Sequence, residues 1–176
     1  MRDYVLEGME GKNVLVTGGL GFVGSNLVLK LVSLGANTTV FTRTLNKLRN
    51  VREVKDRIEI VQGDIRDFEK VSECVKNKDI VFHLAGQISH VDSMADPFLD
   101  IEVNCRGTMN VLESCRRFND SAKVVFAGTR GEVGKPVSNP VDESHKDDPL
   151  DIYAADKLAA EKYCRIYYRV YGIPTT

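Results

Sequence analysis

Nowhere in this 176-residue sequence does an apolar run approach the roughly 20 residues that a helix needs to span a bilayer. The opening MRDYVLEGMEGK lacks the apolar core of a signal peptide. Excess charge of either sign is missing too: 24 Lys and Arg against 25 Asp and Glu give a formal net charge of -1. A bulk electrostatic case for nucleic acid or an acidic membrane therefore fails. There is no internal repeat and no low-complexity tract. The four cysteines, Cys74, Cys105, Cys115 and Cys164, form no C-x-x-C pair, so metal and redox roles lack support and no metal ligand is expected. Reduced thiols in a cytoplasmic protein are the expectation. What remains is ordinary for a globular chain, 43% hydrophobic and 28% charged, and long enough for one domain with a real core.

The informative stretch runs from Asn13 to Leu27, NVLVTGGLGFVGSNL. Val14-Leu15-Val16 predicts a short strand, and Gly18, Gly21 and Gly24 follow it. Phe22, Val23, Leu27, Leu31 and Leu34 then fall at helical spacing. On a strand-to-helix turn, three glycines have a mechanism. They let the backbone turn tightly and approach a phosphate, and the helix start offers free N–H groups and the positive end of its dipole.

Strand and helix signals alternate from there on. Thr38-Thr39-Val40-Phe41-Thr42 reads as a second strand. A dinucleotide fold usually places an acid about 20 positions past the glycines to hold the ribose 2′-hydroxyl. Here the residues are Thr42-Arg43-Thr44. Arg43 is either a solvated loop residue or a planar donor fork for a 2′-phosphate, which leaves both NAD and NADP open. Residues 45–55 predict a helical connector, 58–61 a third strand, and Asp67 the N-cap of a helix reaching 76. Asp64 ends the third strand where a carboxylate could accept the adenine amino group. Residues 79–86 form the fourth strand and its turn, with His83 expected as a satisfied core histidine. Gln87, Ser89 and His90 follow, placed either to touch a substrate or to form a solvated turn. A long helix is expected over 97–118, where Val103, Gly107, Val111, Leu112 and Cys115 make an apolar stripe around Asn104. A buried asparagine demands partners. Residues 123–127 read as a fifth strand, 128–149 as a long functional loop, and 151–171 as a helix opened by Asp151 and stopped by Gly172 and Pro174. The fold class is α/β, a doubly wound parallel sheet.

Tyr153 and Lys157 stand i, i+4 on that last helix and so share a face. A phenol ionises near pH 10, too high for a base at neutral pH. A lysine cation about 4 Å away is worth roughly 4 kcal/mol at an effective dielectric near 20, or about three pKa units, less whatever burial of the phenolate removes. Thr129, just past the fifth strand, offers a hydroxyl to the same reacting oxygen.

These residues resemble the extended branch of the short-chain dehydrogenase/reductase superfamily, especially nucleotide-sugar epimerases of the UDP-glucose 4-epimerase type. The matching pieces are Thr17 to Gly24, Gly63-Asp64-Ile65, His83-Leu84-Ala85-Gly86, Val103-Asn104 with Gly107-Thr108, and Tyr153 with Lys157. The resemblance implies a Rossmann fold, with Tyr153, Lys157 and Thr129 as catalytic residues. It implies an NAD or NADP site built from Gly18, Gly21, Phe22, Val23, Gly24, Thr42, Arg43, Asp64, Ile65, Leu84, Ala85, Gly86, Asn104, Tyr153 and Lys157. A nucleotide-sugar substrate of the UDP class and a homodimer formed through the helices at 97–118 and 151–171 go with it. Related 4,6-dehydratases carry an acidic pair where this chain has Arg130 and Gly131, and Glu132 reads as out of register, so dehydration is disfavoured. Phe41-Thr42-Arg43 looks more like NADP-dependent reductases of the same branch, and Gly128 stands where a serine is frequent. Family members continue into a smaller substrate domain. The expectation is thus a fragment, residues 1–176 forming the cofactor domain with an N-terminal extension at 1–11, inactive alone, and with the outer edge of the fifth strand bare and prone to association. An NADP-dependent ketone or sugar reductase and a dinucleotide-binding module without chemistry are the alternatives.

Overall fold

The computed structural model describes residues 8–176, so residues 1–7 of the expected extension lie outside the described residues. In β1 (Asn13–Thr17), Val14 and Val16 face one side of the sheet and Leu15 the other, as the two-residue period of a pleated strand requires. That alternation seeds two cores. Val14, Val16 and Val40 pack with Val28, Leu31 and Val32 of α1 (Phe22–Ser33) and with Val51 and Val54. Leu15, Phe41, Val81 and Val124 pack with α2 (Phe68–Val75), α5 (Gly107–Phe118) and α6 (Ile152–Tyr171). Helices on both faces make the sheet doubly wound, as expected.

The sheet order is β3-β2-β1-β4-β5, all neighbours parallel, with β2 at Asn37–Thr42, β3 at Ile58–Gln62, β4 at Ile80–His83 and β5 at Lys123–Phe126. The chain leaves β1 toward β2 on one side and returns to β4 on the other. The carboxyl ends of β1 and β4 therefore flank a crevice at a topological switch point, where open α/β sheets bind ligands. Thr17 is in register with both Phe41 and His83.

Helix signals held where caps were legible. The Asp67 carboxylate accepts the Lys70 N–H at 3.1 Å, Asp151 accepts that of Ala154 at 2.8 Å, and Gly172 ends α6 at φ 73°. Other readings need correction. The connector is helical as expected, but as a 3-10 segment, Leu48–Arg57, kinked at Val51, with Val51 and Val54 buried and Leu48 packed beside them. Phe22 and Val23, though at helical spacing with Leu27 and Leu31, are 85% and 64% exposed. The buried face is instead Gly24, Ser25, Val28, Leu31 and Val32. The helix over 97–118 is α4 (Pro97–Asp100), a π turn at Ile101–Arg106, and then α5, with the Gly107 N–H reaching back five residues to Glu102 O. A short α3 (His90–Ala95), capped by Ser89, precedes it. The outer edge of β5 is not bare. The Val124 N–H donates to Pro174 O at 2.8 Å, the Thr176 N–H to Val124 O at 2.9 Å, and the Phe126 N–H to Thr176 O at 2.8 Å. Self-association through those groups is no longer expected. Among the described residues, no helix is long and apolar enough to cross a membrane.

Candidate active site

The glycine turn rises from the carboxyl end of β1. Gly18 takes φ 69° and gives its N–H to Phe41 O at 2.8 Å. A Cβ there would meet Ala85 N at 2.9 Å, so β1 and the turn after β4 approach as closely as backbone allows. Gly21 is the N-cap of α1 but no side chain accepts from the first turn, and no acidic residue lies in it. With Phe22 and Val23 exposed, the helix start presents its N–H groups to the crevice, which suits an anion.

On the β2–β3 side the expected residues are brought together, but with different freedom. Thr42 is buried and its hydroxyl donates to Thr44 O at 3.1 Å. Arg43 is exposed. Asp64 is gripped by Arg66, whose Nε and Nη2 donate to its two oxygens at 2.9 and 2.7 Å, and this hydrogen bonding holds the carboxyl below its usual range. Ile65 points into the core under Gly107, and its carbonyl accepts from Asn110 Nδ2 at 2.9 Å.

Leu84, Ala85 and Gly86 line the other wall, and a buried relay fixes them. Thr17 Oγ1 accepts the N–H of Leu84 at 3.2 Å and of Ala85 at 3.1 Å, so its own proton goes to His83 Nδ1, 2.8 Å away. The His83 proton then sits on Nε2, which donates to Thr108 Oγ1 at 3.0 Å, and Thr108 in turn donates to Asn104 O at 2.6 Å. Burial, with Lys157 a second cause, pushes the His83 imidazole down to about 3, so it stays neutral. Asn104 closes the wall. Its Oδ1 accepts from Gln87 N at 3.1 Å, and its Nδ2 donates to Gln87 O at 3.1 Å and to Asp100 Oδ1 at 2.7 Å. It lies in the π turn, a local distortion that recurs at functional sites.

Tyr153 and Lys157 are only 8% and 7% exposed on one face of α6. Tyr153 sets its ring edge-on to His90, centroids 5.0 Å apart, and gives its N–H to Ser93 Oγ at 3.3 Å. His90 Nδ1 meets Asp151 Oδ2 at 2.5 Å, so α3 braces the first turn of α6. Gln87, Ser89 and His90 are thus engaged in structure, Gln87 accepting the Ser89 N–H at 2.7 Å. Lys157 Nζ lies 3.9 Å from the centroid of the Phe126 ring at the end of β5. Burial pushes its pKa down to about 8 while Glu132 opposes the shift, so the cation persists at neutral pH. Thr129 Oγ1 accepts from Gly131 N at 3.2 Å and keeps its own proton to give.

Sequence reasoning named Thr17, Thr108 and Glu132 but gave none of them a role in the site. Glu132 is buried, and its Oε1 accepts the Thr129 N–H at 2.8 Å in a capping box that opens the 3-10 segment Arg130–Val133. A Cβ at Gly128 would stand 3.1 Å from that oxygen, which accounts for glycine where serine is frequent. The pattern T-x-x-E was visible as a capping box signature. Thr17 and Thr108 stand in the matching motif pieces, but nothing in the sequence shows that they work through His83.

A family model described as GDP-mannose 4,6 dehydratase matches residues 15–176. UDP-glucose 4-epimerase of Mycolicibacterium smegmatis is 35% identical over 164 residues, 90% of this chain and 52% of that protein. A solved UDP-N-acetylglucosamine 4-epimerase of Methanobrevibacter ruminantium, in complex with UDP-N-acetylmuramic acid, superposes with TM-score 0.88 at 30% identity, over 94% of this chain and 53% of that one. The UDP-glucose 4-epimerase of Thermus thermophilus in complex with NAD gives TM-score 0.84 at 36% identity, over 93% and 53%. The chain spans about half the length of the curated relatives it matches. It belongs to the GDP-mannose 4,6 dehydratase family, within the NAD-dependent epimerase/dehydratase group of short-chain dehydrogenase/reductases.

Proposed function

We propose that this chain is the dinucleotide-binding part of a nucleotide-sugar epimerase of the UDP-glucose 4-epimerase type. The observation that carries the reading is the buried Tyr153 and Lys157 pair on α6, on a chain whose glycine turn opens at the sheet's switch point. The residues fit a dinucleotide: the open start of α1 and the cradle that a Cβ at Gly18 or Gly24 would fill suit a pyrophosphate. Gly18, Gly21, Phe22, Val23 and Gly24 would hold it. Thr42, Arg43, Asp64 and Ile65 would serve the adenosine half. Leu84, Ala85, Gly86 and Asn104 would line the wall, and Tyr153 and Lys157 would meet the nicotinamide ribose.

NAD, when bound, supplies reversible acceptance of a hydride. Lys157 would hold Tyr153 in its phenolate form, Tyr153 would take the proton of a sugar hydroxyl and become the phenol, and Thr129 would donate to that sugar oxygen. Return of the proton from Tyr153, together with return of the hydride to the opposite face of the turned-over sugar, would give the inverted carbon with no net redox. The partner is a UDP-sugar, and the thiols suit a reducing, cytoplasmic setting. Phe98 and Ile101 on one helix, with Ile166 and Val170 on α6, leave apolar surface for a homodimer. In the full-length protein supplied with UDP-glucose, the expected result is UDP-galactose with no net change in NAD(P)H absorbance. Stoichiometric cofactor consumption would favour the reductase, and no turnover with cofactor bound would favour a binding module.

Arg43 supports a second cofactor reading, because β2 ends without a carboxylate and with this exposed guanidinium. By calorimetry, Arg43→Ala is expected to weaken NADP+ binding about tenfold or more and to leave NAD+ binding nearly unchanged, as loss of a charge-assisted pair predicts. Equal losses for both would remove Arg43 from 2′-phosphate recognition.

A further inference from the structure

Asp100 of α4 is fully buried, and its Oδ1 accepts from Asn104 Nδ2 at 2.7 Å. Its other oxygen, Oδ2, has no hydrogen-bond partner, and neither does Asp156 Oδ2 on α6, which is also buried. Helix α4 packs against α6 here, and Asp100 is the charged neighbour of the Asp156 carboxyl. Ionised carboxylates only accept, so neither oxygen can satisfy the other unless a proton stands between them. Leaving both charged would place like charges together out of water, which is strongly unfavourable. Among the described residues, no third His, Cys, Asp or Glu joins them to hold a metal ion.

We propose that Asp100 and Asp156 share one proton and act as a positioning pair, locking Asn104, and through it the backbone of Gln87, to the helix that carries Tyr153 and Lys157. The fixed acceptor at Asp100 Oδ1 decides which end of the Asn104 amide faces which partner. Nδ2 must point to Asp100, so Oδ1 points to the Gln87 N–H. Asp156 lies one residue before Lys157 and three after Tyr153. The shared proton thus ties the π turn, the turn after β4 and the Tyr153–Lys157 face of α6 into one unit. The ionisable groups that face the pair are Cys105 on the π turn, whose thiol meets Asp156 O at 3.6 Å, and Lys157 and Tyr163 on α6.

Burial, with Asp100 beside it, raises the Asp156 carboxyl to about 6. The folded pair then holds its proton more tightly than separate unfolded carboxyls would. Its contribution to stability is full below about pH 4 and is lost as pH rises through about 6. Asp156→Asn replaces the shared proton with a permanent N–H donor. The expected result is a thermal midpoint near that of the wild type at pH 4.5 and higher than it by about 3 °C at pH 8, a figure discounted for the partial exposure of Asp156. In amide NMR spectra of the wild type, the Asn104 Nδ2 resonances should move with pH through about 6, and in the variant they should not. Asp100→Asn, which offers the same donor from the other side, serves if Asp156→Asn fails to fold.

A midpoint difference that is the same at both pH values, or Asn104 resonances indifferent to pH in the wild type, would overturn the proposal. So would stabilisation by Mg2+ that the substitution abolishes, since that would assign the pair to a cation. None of these readouts needs a dinucleotide, so they hold or fail separately from the proposed function. Only the consequence for catalysis rests on that function.

Discussion

Replacing Tyr153 by phenylalanine is expected to lower turnover of the full-length protein by about 10²–10⁴-fold while dinucleotide affinity stays within about threefold. The ring is what packs: it meets His90 edge-on, and phenylalanine keeps that contact. The backbone N–H that reaches Ser93 is also untouched. Only the oxygen is lost, and with it the group that would exchange a proton with the sugar. Lys157 keeps its charge below about pH 8, so the electrostatic setting is preserved in the variant. Rapid-mixing assays of isomerisation, with cofactor affinity measured in parallel, make the distinction. Unchanged turnover would remove Tyr153 from the chemistry. Joint loss of turnover, binding and thermal midpoint would mean that the side chain acts only in packing.

Gly24→Ala should abolish dinucleotide binding, by about 100-fold or more, where Gly21→Ala should cost no more than about tenfold. A Cβ at Gly24 collides with Gly18 O and would stand 2.8 Å from Gly19 Cα and 3.0 Å from Gly18 C. All three are backbone atoms of the turn itself, so no rotamer change relieves them. At Gly21 the nearest contact is Gly18 O at 3.2 Å. Helix propensity favours alanine at position 24 by about 1 kcal/mol, whereas overpacking costs about 1–3 kcal/mol and here deforms the turn as well. The clash wins. A drop in thermal midpoint of roughly 3–10 °C should accompany lost binding in Gly24→Ala. Similar affinities in the two variants, read by calorimetry, would show that the turn does not cradle the phosphates.

The sheet was legible because its strands are short apolar or β-branched runs set off by glycine and polar turns, as in Val14-Leu15-Val16 and Thr38 to Thr42. Caps were legible wherever one side chain settles the matter, as at Asp67 and Asp151. Periodicity failed at Phe22 and Val23, since the first turn of α1 faces the crevice and apolar side chains there stay outside the core. It failed again at the π turn, because an extra backbone residue leaves no mark on composition. His83 was rightly placed in the core. The hydroxyls that satisfy it come from residues 17 and 108, a pairing that only the β1–β4 register and the seating of α5 create. The Asp100–Asp156 contact is illegible for the same reason, being a meeting of two helices far apart in sequence.

The π turn at Ile101–Arg106 has a geometric effect on the helix as a whole. A regular α-helix turns about 100° per residue, so one additional residue resets the angular phase of everything beyond it by roughly that amount. Asn104 aims at the turn after β4, while Val111, Leu112 and Cys115 seat on the sheet. A single uninterrupted phase would have to compromise between those two directions. With two phases on one axis, the sheet-facing half can exchange its apolar side chains without rotating the asparagine, and the asparagine's neighbours can change without unseating the helix.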